Sequence, residues 1–487
     1  MGAAQSNSRS SSRELPPGDN QVMDVLDPSE STPRRGRKRK SVKQAEVEKK
    51  KIAKLDTCAY VYNKLFIQGE ESDITIAACG KEWKVHKLYL KQTKFFESMF
   101  DGDWAETHSD RVNLEISDPN IDVEGINAVL GSLYHNEIEI DLDNIQGTLA
   151  AASYVALDSV TEKCAEMMIE ALSIDNAIQF LDLSTEYGLI CVKEKSLQLL
   201  LRNFWKISKD KEKLRLLEHD LLLALLNSPN LFITEGEYDI YKAVKTWIYM
   251  QECADFKIEE AQNEFKSNMS EFFQKADTDY LISKYLKLLC SVRFDKMLLT
   301  TGTLKAMRTD HLIPNCVINE ISSDLWMSFL QNEENTTPVT ISDDEFFERC
   351  FRLGRSLESI PKCWRWVGFN SGVDLLLHLN ENSICIKRNC LNQKAPYSVN
   401  LKSRLTLHYR LAICDSNGRI VHDTGKSSWE MSPDETKTIF RMTEETQVPI
   451  SVHFQYLIHN PIESPSYYFN KYLSQKKNVA DTVVEEI

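Results

Sequence analysis

The sequence predicts a multidomain chain with four parts. A disordered basic arm leads into an α/β domain, an all-α domain and a C-terminal antiparallel β-rich domain. Three observations predict it. Residues 1–50 are rich in Ser, Pro, Arg, Lys and Glu and nearly free of aromatics. Apolar residues then recur at helical spacing over a long middle stretch, and past residue 345 they alternate with period two. At 487 residues there is chain enough for about three domains. Hydrophobic residues at 42% and charged residues at 27% are ordinary for soluble domains. No run of 18 apolar residues occurs and residues 1–30 lack the apolar centre of a secretory signal. The formal net charge of −14 argues against direct nucleic-acid binding, which needs a broad basic face.

The arm, 1–54, cannot bury enough apolar surface to offset its ordering entropy. It carries two addresses. In "MGAAQS", removal of Met1 would leave Gly2 as the terminus, with Ser6 where an N-myristoylation signal takes Ser or Thr; an accidental match is the alternative. In "PRRGRKRK", residues Arg34, Arg35, Arg37, Lys38, Arg39 and Lys40 form a nuclear-localisation type cluster. The same cluster could press on anionic lipid as the second signal beside an acyl chain, or be a solvated charge run without a reader.

The α/β domain is expected over 55–158. "SDITIAA" (72–78) and "KEWKVHK" (81–87) read as strands joined by a hairpin turn at "CG". "KLYLKQTKFFESMF" (87–100) reads as one helix with Leu88, Leu90, Phe95, Phe96, Met99 and Phe100 on its apolar face. "RVNLEI" (111–116) is a further strand, and "VEGINAVLGSLY" (123–134) and "IQGTLAAASYVAL" (145–157) are helices.

The middle, 159–335, is helical by periodicity. Leu214, Leu217, Leu221, Leu222 and Leu225 make one core-facing stripe, and Ile240, Val244, Trp247 and Ile248 another. Trp247 is therefore read as core. After a polar linker at 332–345, Leu405, Leu407, Tyr409, Leu411 and Ile413 alternate with Thr406, His408, Arg410, Ala412 and Cys414, the pattern of a half-buried strand. Val452, Phe454 and Tyr456 alternate too, and "DSNG" (415–418) is a hairpin-type turn. The β domain is expected over 345–460, with 461–487 as a tail. About 115 residues without internal repetition cannot supply the blades of a propeller.

Asp73, the strand ending at His86, "LYLKQTKFFESMF", "LGSLYHNEIEI" and "AASYVALDSVTEKC" resemble the BTB (POZ) domain. The resemblance implies a dimerising and docking module in which Asp73 and His86 are a structural polar pair. In the BTB proteins that serve as cullin-3 adaptors, a hydrophobic-x-Glu motif follows the helix ending in Met-Phe. Here "MFDGDWAE" places Phe100, Trp104 and Glu106 at that site. An aromatic anchor beside a carboxylate suits an interface, while packing of Trp104 into its own loop is the alternative. "SIDNAIQFLDLSTEYGL", "LLRNFW" and "LLALLNSPNLFITEGEYDIYKAVKTWI" resemble a BACK domain, an all-helical spacer. "RCFRLGRSLESIPKCWRWVGFNSGVDLLL" and "IKRNCLNQ" are similar to the germ cell-less family. That resemblance implies a role in germ cell development.

The cluster Trp364, Arg365, Trp366, Phe369 and Asn370 is read either as client contact or as rings packed into the core. The resemblance implies a substrate adaptor of a cullin-3 ubiquitin ligase: a homodimer, with an unidentified client on the C-terminal domain and no cofactor. A nuclear-envelope scaffold or transcriptional cofactor is the alternative. Localisation would be nuclear, with plasma-membrane attachment if Gly2 is acylated. No nucleophile elbow, P-loop, zinc spacing or dinucleotide fingerprint occurs, so an enzyme is not expected.

Overall fold

A computed structural model describes residues 57–485 except 103–108, 136, 235, 254–261, 335–339, 360, 368–373, 381, 390–403, 417–418, 444–447 and 459. The arm, with Gly2 and the 34–40 cluster, lies outside the described residues.

The first sheet has the order β2-β1-β3, from β1 (Ile74–Ala78), β2 (Lys81–Val85) and β3 (Arg111–Asn113). β1 and β2 are antiparallel and joined by Cys79 and Gly80, both at positive φ (49° and 77°). Two such residues make the hairpin turn whose twist matches its strands, as the "CG" reading anticipates. β3 runs parallel to β1 and is shorter than the expected 111–116.

The expected helix 87–100 is two helices, Lys87–Leu90 and Lys94–Asp101. Thr93 breaks it: its backbone is extended and its hydroxyl accepts the Phe96 N–H, an N-cap that restarts the helix. The break rotates Leu88 out of the apolar face, leaving it 77% exposed, while Leu90, Phe96 and Phe100 stay buried. Helices Val123–His135 and Ile145–Tyr154 fall where expected. The core they build draws in Val160, Cys164, Met168, Phe180, Leu183 and Val192, so it reaches past residue 158.

Helices continue to Glu334 around a second core that holds both predicted leucine and tryptophan stripes, with Trp247 buried and its Nε1 donating to Leu217 O at 2.9 Å. The C-terminal strands are β4 (Phe351–Leu357), β5 (Lys362–Val367), β6 (Asp374–Leu379), β7 (Ser383–Asn389), β8 (Leu405–Cys414), β9 (Ile420–Asp423), β10 (Ser427–Met431), β11 (Thr436–Arg441) and β12 (Ile450–Leu457). They form two antiparallel sheets. One has the order β10-β8-β12-β4 with β9 added to β8, and the other β11-β7-β6-β5. Leucines from β6 and β8 and aromatics from β4 and β12 share one core. Asp415 N–H bonds Arg419 O at 3.0 Å between the end of β8 and the start of β9; residues 417 and 418 of the expected turn lie outside the described residues.

Residues 465–485, expected as a tail, are a helix. Tyr468 and Phe469 enter the helical core, Tyr468 Oη donates to Asp324 at 2.8 Å, and Lys471 pairs with Glu320 at 3.2 Å.

Candidate functional site

The candidate docking corner of the first domain is set by β2 and the two helices that follow. Asp73 Oδ1 accepts the Lys87 N–H at 2.8 Å, and His86 meets Tyr134 Oη at 3.1 Å and Glu70 O at 2.9 Å. Asp73 and His86 thus act on the same strand-to-helix corner, each through its own backbone partner. Burial pushes the Tyr134 phenol well above its usual pKa, so it stays a hydrogen-bonding group there. Tyr89 stacks on Tyr134 at 4.2 Å, beside the exposed Leu88.

Phe100 ends the helix 94–101 but points inward. It is 6% exposed, its ring stacks on Phe96 at 5.9 Å, and Lys87 Nζ lies 5.5 Å from its centre. A ring so placed offers almost no contact area of its own. Lys91 pairs with Asp101 at 2.5 Å and pins the end of this helix. Trp104 and Glu106 lie outside the described residues; Gly102 and Ser109 mark the two ends of the segment that carries them.

The second candidate lies on β5, whose hydrogen-bonded neighbour among the described residues is β6, so that β5 is the end strand of the described sheet. Trp364 is half-buried, packed on the β core and in register with Leu377. This favours the packing reading of Trp364 over client contact. Arg365 and Trp366 continue the strand, opposite Leu376 and Leu375. Their side chains, and Phe369 and Asn370, lie outside the described residues.

A third feature was not anticipated. One face of β4, β8 and β12 is polar yet buried against the helical region. Arg352 grips Glu237 through both carboxylate oxygens (2.7 and 2.9 Å) and donates to Leu226 O at 2.7 Å. Burial opposes the Arg352 charge, but Glu237 outweighs it and holds the guanidinium above its usual pKa. Arg355 donates to Thr234 O, and Gln455 Nε2 to Pro229 O at 2.5 Å. Arg410 clasps Asp423 at 2.5 Å and reaches Asn230 Oδ1 at 2.8 Å. Burial works against Asp423, yet Arg410 and the Gly425 N–H keep its carboxyl below the usual range. Gly354 lies under Phe232, where an added Cβ would sit 2.4 Å from the ring. Period-two alternation assigns Arg352, Arg410 and Gln455 to solvent. The signal that could have found the seam is their chemistry: long polar side chains at outward positions of three strands that neighbour one another in the sheet.

The chain also resembles known proteins. A sequence model of the BTB/POZ domain matches residues 62–172, and one described as BTB And C-terminal Kelch (BACK) matches 177–260. Kelch-like protein 15 of Mus musculus is 26% identical over 190 residues, 38% of this chain and 31% of that protein. Protein germ cell-less of Drosophila melanogaster is 31% identical over 373 residues, covering 70% of this chain and 65% of that one. Germ cell-less protein-like 1 of Homo sapiens is 30% identical over 420 residues, 83% of this chain and 81% of that protein. With a BTB domain, a BACK domain and likeness carried across most of its length, the chain belongs to the germ cell-less family.

Proposed function

We propose that this protein is a non-catalytic substrate adaptor of a cullin-3 ubiquitin ligase. The observation that carries the reading is the tandem of BTB and BACK domains, followed by a β domain tied to the helices through a buried ion pair. The BTB domain dimerises and docks the cullin. The opening helix Thr57–Val61 buries none of its residues and leaves Tyr60 67% exposed, which suits a dimer face. Trp104 supplies the anchor ring and Glu106 a charge-assisted acceptor, with Phe100 as support beneath. The β5 edge, with Arg365 and Trp366 on the strand and Asn370 beyond it, receives the client, since an edge strand can pair with an extended peptide. Catalysis belongs to the ligase; the adaptor raises the local concentration of client lysines.

Co-purification of cullin-3 with wild type and with the Trp104→Ala/Glu106→Ala double variant tests this. The double variant should keep its helical circular dichroism and lose at least ten-fold in cullin recovery. Equal recovery would overturn the docking assignment.

The basic block at 34–40 favours a second reading, a nuclear-envelope scaffold or transcriptional cofactor working without the ligase. Client ubiquitination in a reconstituted mixture separates the two. Fractionating cells that carry Gly2→Ala or a neutralised 34–40 block shows which address is read.

A further inference from the structure

Helix Ile190–Ile207 presents Leu199, Arg202, Asn203 and Lys206 at i, i+3, i+4 and i+7, one stripe along its face. That stripe forms one wall of a cavity of about 360 Å³. The opposite wall belongs to the sheet, where Ser356, Ser416 and Ser451 face it from β4, the β8–β9 turn and β12. The two walls are some 150 to 250 residues apart in sequence, so the cavity exists only while the sheet is seated on the helices.

Two cations one helical turn apart repel each other and disfavour the helix. Among the described residues, no carboxylate lies within ion-pair distance of either Arg202 or Lys206. Arg202 Nη1 donates to Ser416 O at 3.1 Å, and Nη2 reaches Ser451 Oγ at 3.5 Å, which fixes the guanidinium at the cavity wall with donors to spare. Lys206 is exposed, and its ammonium sits 5.4 Å from the centre of the Trp205 ring, another part of the lining. Asp415, next to Ser416 in the chain, is paired with Arg419 at 3.6 Å. An unbalanced cationic hollow in a chain of charge −14 does not serve stability.

We propose that this cavity binds a phosphomonoester, with Arg202 and Lys206 meeting its charge and the serine hydroxyls bonding its oxygens. A guanidinium, an ammonium and several hydroxyls match a doubly charged group with three peripheral oxygens better than a single carboxylate. The volume is at the small end of ligand pockets and admits a phosphorylated side chain or a free phosphomonoester. Trp205 and Phe232 supply an apolar wall for the carbon part of either. The site stands whether or not a cullin docks on the first domain.

Calorimetric titration of the full chain with a short, otherwise uncharged phosphoserine peptide, its unphosphorylated twin, O-phosphoserine and inorganic phosphate tests it. One-to-one, salt-sensitive binding of phosphomonoester is expected, with none by the unphosphorylated twin. Lys206→Gln, which touches no partner needed for folding, should weaken binding at least ten-fold. Ser416→Glu, which brings a tethered carboxylate to Arg202, should abolish it. Tighter binding of the peptide than of O-phosphoserine makes the ligand a modified protein; equal affinity makes it a small phosphomonoester. Wild-type affinity in both variants, or no binding by any phosphomonoester, overturns the proposal.

Discussion

Arg352 and Glu237 are 115 residues apart in sequence and meet in the interior with two charge-assisted hydrogen bonds. Removing one member leaves the other buried and uncompensated, so Glu237→Ala should cost about 3–5 kcal/mol of stability. Replacing both, as Arg352→Met with Glu237→Leu, should cost less than the single change, and urea unfolding checks the order. His453, on the same seam, responds to pH. The residue is half-buried, and its Nε2 is buried and has no hydrogen-bond partner among the described residues. Burial, then Arg410 and Arg202, pushes its pKa down to about 3. The unfolded chain takes up this proton near pH 6.5 and the folded one does not, so stability falls as pH drops from about 6.5 toward 3. The melting-temperature gap between wild type and His453→Phe should shift in favour of the variant between pH 6.5 and 5. A gap that ignores pH would remove His453 from the account.

Among elements, those with a strong period were legible and those shaped by partners were not. The hairpin at Cys79–Gly80, helices 123–135 and 145–154 and the stripe ending at Trp247 rest on local turn chemistry and periodicity, which the sequence carries. Apolar spacing predicts one continuous helix over 87–100, but the capping hydroxyl of Thr93 divides it, and spacing alone carries no signal that Phe100 is buried. β8 was read as half-buried. Leu405 through Ile413 do line the sandwich core, but His408, Arg410, Ala412 and Cys414 are buried as well, some against the helical region. Amphipathic spacing reports a face, not what covers it. Gly354→Ala tests how closely β4 is seated: its methyl would meet Phe232 and the Ile233 carbonyl, for a loss of about 1–3 kcal/mol by thermal unfolding. Phe469→Ala should cost about 3–5 kcal/mol, because its ring is wholly enclosed in the helical core.

For the whole molecule, the arrangement puts the BTB domain early in the chain and a braced β domain late, with helices between. Under the adaptor reading a dimer presents two client platforms, so a client with two epitopes gains from effective concentration as well as from contact. Tyr60→Asp should convert the dimer into a monomer by light scattering and weaken capture of such a client more than that of a single-epitope one. Unchanged mass would move the pairing face away from the opening helix.

The returning helix 465–485 has a consequence for biosynthesis. Its Tyr468 and Phe469 complete a core whose other members begin at Ala177, almost three hundred residues upstream. On the ribosome the BTB domain can mature early, whereas the helical middle must wait, greasy and open, until the whole β sandwich has been translated. A premature stop at about residue 460 would therefore release a chain that chaperones hold and proteases clear, even though both sheets had been made in full.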